Sequence, residues 1–276
     1  LRTVEPLQLI TGFLMKKRYD SMNMYEDTIN CESWDQYIKE KRAEGIEIGY
    51  MHIFIAGLVR LLAIRPRLNR FVMLGKVYAR PKIWVSFVVH PSLDLNSEGT
   101  TIKLAFEGTE TILEIAEKIN EAIQKETTNR VGENGTDKLA RVLTRIPSPI
   151  LRFVVNTLMW MDKHNCLPKM VMDASPFHTS FFITNMKSLG INYVFHHVYN
   201  FGTAGIFIGL GKDKTKVVAD LDDQPEVRKM LPLGVVIDER FAEGLDWAKG
   251  MKQLKRLLRD PHLLDKPIEK KNEDID

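Results

Sequence analysis

The run from Val235 to Leu258 leaves this chain few ways to fold. Val235, Val236 and Ile237 are consecutive β-branched residues that read as a buried strand, and Leu245, Ala248, Met251, Leu254 and Leu258 then recur at helical spacing. Asp238 to Gly244 must therefore be a polar turn that delivers an interior strand straight into an amphipathic helix. Such a unit needs a sheet for the strand and a layer of helices over that sheet, which is an α/β architecture. Strand ends in this class present side chains from a rigid frame, so Asp238, Glu239, Arg240 and Glu243 are the first polar residues to weigh as a site. The competing reading makes them ordinary residues of a turn and a first helical turn.

The remaining pattern supplies the sheet and its helices. Trp34 to Glu44 reads as a helix ended by Gly45, and Tyr50 to Ile64 as a helix so apolar that it must be covered on more than one side, stopped by Pro66. Phe71 to Ala79 reads as a hairpin around Gly75-Lys76, followed by strands at Ile83 to Val89 and Thr100 to Phe106 and a helix from Thr111 to Gln124. Residues 127–137 are polar and glycine-bearing, the best internal loop, before helices at Lys138 to Ile146 and Ile150 to His164. Further strands fall at Thr179 to Asn185, Gly205 to Lys212, Val217 to Ala219 and Leu231 to Ile237. At the start, Met15 to Asp20 reads as a basic helical patch that gives way to a polar, weakly patterned passage reaching Asn30. With 276 residues, 44% of them apolar, one domain over 1–264 can bury a full core, and the charged tail at 265–276 is expected to be disordered.

Charge and cysteine usage narrow the function classes. A net charge of +3 with 27% charged residues calls for neither nucleic acid nor an anionic membrane as partner. The longest apolar run, Ile48 to Ile64, contains His52 and Arg60 and is too short to span a bilayer. Cys31 and Cys166 match no metal or redox spacing and suit a reducing compartment, and Leu1 to Glu5 show no signal peptide, so a cytoplasmic location is expected. No metal site is expected either: His196 and His197 are adjacent and would point to opposite faces of a strand. Gly209 and Gly211 precede no helix start and so do not read as a phosphate cradle.

Asp238-Glu-Arg-Phe-Ala-Glu-Gly244, with Arg259-Asp-Pro261 downstream, resembles the C-terminal D-H-R-x-x-D-G motif of the chloramphenicol acetyltransferase-like superfamily. The nearest likeness is to the acyltransferase component of 2-oxoacid dehydrogenases. Pro66-Arg-Leu-Asn69 resembles that family's P-x-L-N turn, Phe181 to Gly190 its F-T-I-S-N-L-G strand and turn, and Gly205 to Gly211 its A-I-L-G-V-G strand. The resemblance implies a two-layer α/β sandwich, a mixed sheet packed by helices, assembled as a homotrimer. Active sites would lie where one chain's C-terminal motif faces another chain's strand. It also implies coenzyme A or acyl-coenzyme A as cosubstrate and a small-molecule acyl acceptor. In this chain Glu239 stands where the family has its catalytic histidine, and Glu243 replaces the carboxylate or amide that supports it. Ser180 and Thr184 are the candidates for the strand hydroxyl that steadies the oxyanion. Arg18 matches the arginine that pairs with the motif aspartate, while Arg240 and Gly244 match the motif directly. The short T-P motif is missing, and no lipoyl segment, subunit-binding module or Ala/Pro-rich linker is seen, so a lone catalytic-type domain is expected.

Acyl transfer from a thioester needs a base for the attacking group and donors for the developing oxyanion. Raising a glutamate from about 4.3 to near 7 would take on the order of 3.7 kcal/mol of desolvation or like-charge strain. Glu243 beside Glu239 would push that way, and Arg18 or Arg240 would push back. Three readings follow: an acyltransferase with a carboxylate base or a relocated histidine, His178 or His197; a non-catalytic trimeric scaffold or acyl-coenzyme A-binding homologue; and metal binding by Asp238, Glu239, Glu243 and a histidine, which the opposed directions of His196 and His197 rank last. For either of the first two, Glu239 is expected to project into a cleft with Ser180 or Thr184 across it.

Overall fold

The computed structural model describes residues 4–90, 99–128, 145–219 and 222–274. In chain order the elements are α1 (Pro6–Leu14), β1 (Met22–Asn30), α2 (Glu32–Ala43), α3 (Tyr50–Ile64), β2 (Arg70–Met73), β3 (Lys76–Ala79), β4 (Ile83–Val89), β5 (Thr100–Phe106) and α4 (Ile112–Thr128). There follow α5 (Ser148–Lys163), α6 (Lys169–Ala174), β6 (Phe181–Asn185), β7 (Ile206–Leu210), β8 (Lys214–Ala219), β9 (Pro225–Asp238) and α7 (Gly244–Arg259). Most of the loop expected at 127–137 and of the helix expected at 138–146 lies outside the described residues.

One mixed sheet runs β1-β9-β7-β6-β4-β5, with β8 pairing the outer half of β9 and β2-β3 forming a separate hairpin. The β4-β6 and β6-β7 pairs are parallel, while β1-β9, β7-β9, β8-β9 and β4-β5 are antiparallel. Alternation assigns the faces. Phe181, Ile183, Ile206, Ile208, Val235 and Ile237 point into the main core, whereas Phe182, Phe207 and Val236 form a smaller cluster on the other face, closed by Val198. Helix α3 is buried from Ile53 through Ala63, as its all-round apolar sequence requires, between the sheet and the helices α4 and α7.

The structure departs from the sequence reading in four places. The passage before Asn30 is the nine-residue strand β1, paired with β9 from Met22↔Asp238 to Asn30↔Met230. Ile29 is its only fully buried residue, so no apolar alternation advertised it; its backbone bonds come from a partner two hundred residues away. The basic patch is helical only as a single 3-10 turn at Arg18–Asp20, and the regular helix lies earlier, in α1. The tail, expected to be disordered, packs back as far as Asp274. Asn272 donates from its backbone and side chain to Ala63 O and Ile64 O, satisfying carbonyls at the end of α3, and Asp274 accepts from Arg70 Nε at 2.6 Å. The hairpin turn is Leu74-Gly75, both at positive φ (52° and 74°), one residue earlier than expected.

Candidate active site

The turn after β9 is built on Asp238. Its carboxylate accepts from Arg240 Nε at 2.8 Å, Arg240 Nη2 at 2.6 Å and Ser21 Oγ at 2.9 Å, and Arg18 Nε lies 3.8 Å away. All four side chains are buried. Arg18 also donates to the carbonyls of Tyr199 and Asn200, and Arg240 to that of Met15. Burial pulls Arg18 down to about 10, opposed by the charge of Asp238, and it stays a cation at neutral pH. The Arg18 pairing inferred from the resemblance is thus present, with Arg240 making the closer, two-pronged contact.

Glu239 is half-buried at the strand end, its Oε2 accepting from Asn23 Nδ2 at 2.5 Å and its backbone N–H bonding Ser21 O. Glu243 is exposed at the N-cap of α7, and no hydrogen bond found among the described residues links it to Glu239. Gly244 is the first residue of that helix. Beside this turn a cavity of about 470 Å³ is lined by Lys16, Lys17, Arg18, Asp162, Asn200 and Arg240. On its wall, Asp162 Oδ1 meets His178 Nε2 at 2.9 Å, and the other carboxylate oxygen accepts from the Gly202 N–H at 2.7 Å. The half-buried Arg80 donates from Nη2 to the Thr179 and Thr203 carbonyls, and desolvation of its guanidinium, with Arg18's charge added, lowers it to about 9.

The two candidate hydroxyls separate cleanly. Ser180 belongs to the sheet: its N–H donates to Trp84 O and its Oγ accepts from Trp84 N, both at 2.9 Å, so the oxygen is already used to bridge β4 and β6. Thr184 is half-buried on the wall of a cavity of about 930 Å³ at the far end of β6, and its Oγ1 meets His196 Nε2 at 2.9 Å. Sheet register sets Thr184 opposite Gly209 and Gly209 opposite Gly234, five residues short of Glu239. Within one chain the two groups are therefore about 20 Å apart, at opposite ends of the sheet. Among the described residues no intrachain cleft of the kind expected joins Glu239 to Thr184, and although Ser180 lies at the Glu239 end its oxygen faces Trp84. Sequence reasoning weighed His196 only, with His197, as a histidine to join Asp238, Glu239 and Glu243 in a metal site, because eleven residues separate it from the threonine it bonds. Asp162 was likewise missed, since nothing in helix spacing singles out one aspartate. Among the described residues no cluster could hold a metal ion, and no helix is long and apolar enough to cross a membrane.

Residues 177–265, from before β6 through α7, match the family model of the 2-oxoacid dehydrogenases acyltransferase catalytic domain. No curated protein matches the chain. A probable dihydrolipoamide acetyltransferase from Listeria monocytogenes 4b F2365 aligns at a TM-score of 0.60 and 15% identity, covering 93% of this chain and 92% of that one. The Azotobacter vinelandii dihydrolipoamide acetyltransferase, in a structure concerned with the role of a serine, a histidine and an asparagine in its catalytic mechanism, aligns at 0.60 and 14%, over 94% and 88%. A chloramphenicol acetyltransferase aligns at 0.55 and 10%, over 91% and 94%. The chain resembles the 2-oxoacid dehydrogenase acyltransferase catalytic domain, and its α/β mixed sheet packed by helices is the fold these acyltransferases share.

Proposed function

We propose that this chain is a coenzyme A-dependent acyltransferase that moves an acyl group from a thioester to a small-molecule acceptor and works as a homotrimer in the cytoplasm. The observation that carries the reading is the turn after β9: Asp238, Arg240 and Arg18 keep the buried ion-paired frame of a presented motif, although the residue it presents is Glu239. The matched segment, 177–265, contains both that turn and Thr184. Their separation within one chain supports a site between chains, with Glu239 of one subunit brought to the Thr184 cavity of the next. There a carboxylate hydrogen-bonds the acceptor, and the strand hydroxyl lies at the reacting carbonyl. Unpaired Cys31 and Cys166 are in keeping with a reducing compartment.

A second reading, an acyl-coenzyme A-binding scaffold without turnover, is favoured by one feature. By the motif resemblance, Glu239 and Glu243 stand where the family has its histidine and that residue's supporting partner, and no hydrogen bond found among the described residues links the exposed Glu243 to Glu239. Incubating the chain with a panel of acyl-coenzyme A thioesters and thiol, hydroxyl and amine acceptors, while following free thiol release, separates the two. Acyl transfer predicts release that Glu239→Gln lowers by tenfold or more. Glu239→His, alone or with Glu243→Asp, is expected to raise the rate toward thiol acceptors, because imidazole is the better-matched base. Binding of coenzyme A with no release by any variant establishes the scaffold.

A further inference from the structure

Gly209 on β7 and Gly234 on β9 are register partners, and both are covered by the segment that follows β6. A Cβ on Gly209 would lie 2.8 Å from Val194 O, and one on Gly234 would run into the Tyr193 ring. Bare backbone on two adjacent strands therefore lets Tyr193 and Val194 lie directly on the sheet. Two residues further on, His196 rests flat on Phe207 of β7 (centroids 4.6 Å, planes 19° apart), which in turn stacks on Phe182 at 4.7 Å. This seating brings His196 Nε2 to 2.9 Å from Oγ1 of Thr184, the residue that pairs with Gly209 in the sheet. Thr184 is on the wall of the cavity of about 930 Å³, and among the described residues that line it His196 has no place. The ring stands behind the hydroxyl, away from the space a substrate would fill.

Burial, and to a lesser degree the charge of His197, lower the pKa of His196 and leave its imidazole neutral at pH 7, with one N–H to place. With the proton on Nδ1, Nε2 is an acceptor and the Thr184 hydroxyl turns its own proton toward the ring. With the proton on Nε2, the ring donates to Thr184 Oγ1 and the hydroxyl proton is free to point into the cavity. Only the second arrangement leaves a hydroxyl that donates to an acyl carbonyl oxygen. Each bond of that chain polarises the next as negative charge develops on the carbonyl oxygen.

We propose that His196 is a positioning residue for acyl transfer: its Nε2–H donates to Thr184 Oγ1 and so aims the threonine's own proton at the carbonyl oxygen that gathers charge in the transition state. This rests on the acyl-transfer reading above and deepens the part Thr184 plays in it. His196 neither gives up nor takes a proton during the reaction, and Glu239 keeps its role toward the acceptor. The contribution belongs in kcat, because the bond from the hydroxyl to the carbonyl oxygen strengthens only as charge develops there.

The test is steady-state kinetics of the full chain with the acyl-coenzyme A and acceptor that the parent turns over fastest, across three substitutions of the ring. His196→Gln can donate from the position of Nε2, His196→Glu has the same length but as a carboxylate can only accept, and His196→Leu can do neither. His196→Gln is expected to stay within about threefold of the parent, while His196→Glu and His196→Leu lower kcat about tenfold with KM for the thioester unchanged. In a Thr184→Val background, itself slowed about a hundredfold, the same three substitutions are expected to change nothing further. Equal rates for His196→Gln and His196→Glu, or a loss with His196→Leu that persists undiminished in the Thr184→Val background, would make His196 a packing residue. Either result overturns the proposal and leaves acyl transfer standing. A parent chain that releases no coenzyme A from any thioester overturns both.

Discussion

Asp238 accepts hydrogen bonds from Ser21 and from the Arg240 guanidinium and lies against Arg18, all in the interior. Asp238→Asn would leave two buried guanidiniums without their carboxylate, a loss of about 3–5 kcal/mol. Urea unfolding should show it as a lowered midpoint at unchanged slope. Ser180→Ala is a contrasting case. It removes the acceptor for the Trp84 N–H and should cost about 1 kcal/mol while acyl transfer stays near the parent rate. Loss of turnover in a folded Ser180→Ala chain would return that hydroxyl to the site. These two residues mark what sequence could resolve. The Arg18 to Asp238 pairing was legible because both residues sit in recognisable motif positions. The choice between Ser180 and Thr184 was not, because period-two geometry puts both on one face. What separates them is tertiary: a backbone N–H on β4 claims one, and a histidine from a later loop meets the other.

At the scale of elements, the crossing of α3 and α7 depends on Gly57. A Cβ there would lie 2.5 Å from Leu258 Cδ2 and 3.2 Å from Leu254 Cδ1, both in the main core. Alanine would add about 1 kcal/mol of helix propensity, but overpacking costs ~1–3 kcal/mol, so Gly57→Ala should lower stability on balance. Adding Leu258→Ala should recover part of that loss, a non-additivity that a double-mutant cycle would read directly. Additive losses would mean the helices move apart freely instead of clashing. Helix α3 and strands β4 and β5 were legible to the residue because their burial is written as a run or an alternation of apolar side chains. Strand β1 and the returning tail were not. Each is held by backbone and charged contacts to distant elements, β9 in one case and the end of α3 with Arg70 in the other, and leaves no periodic trace in its own sequence.

For the whole molecule, the separation of Glu239 and Thr184 makes assembly a condition of the proposed chemistry, and the surface offers apolar area for it. Leu7, Ile10, Phe13 and Leu14 on α1 and Ile150, Phe153 and Trp160 on α5 are all more than half exposed in the single chain. Three copies of a 31.8 kDa chain should sediment as a species of ~95 kDa, and a stable monomer at micromolar concentration would remove the interchain site. A mixing experiment tests the arrangement itself. Glu239→Gln chains keep the threonine and Thr184→Ala chains keep the glutamate, so each pure trimer has only damaged sites. Unfolding and refolding the two together in equal amounts creates interfaces where an intact Glu239 faces an intact Thr184, about a quarter of the total if chains assort at random. Acyl transfer by the mixture should then approach one quarter of the parent rate, while a mixture assembled without exchange stays at the level of the single variants. Equal inactivity of both mixtures, with exchange confirmed by a mass-tagged chain, would mean that the two residues never share a site.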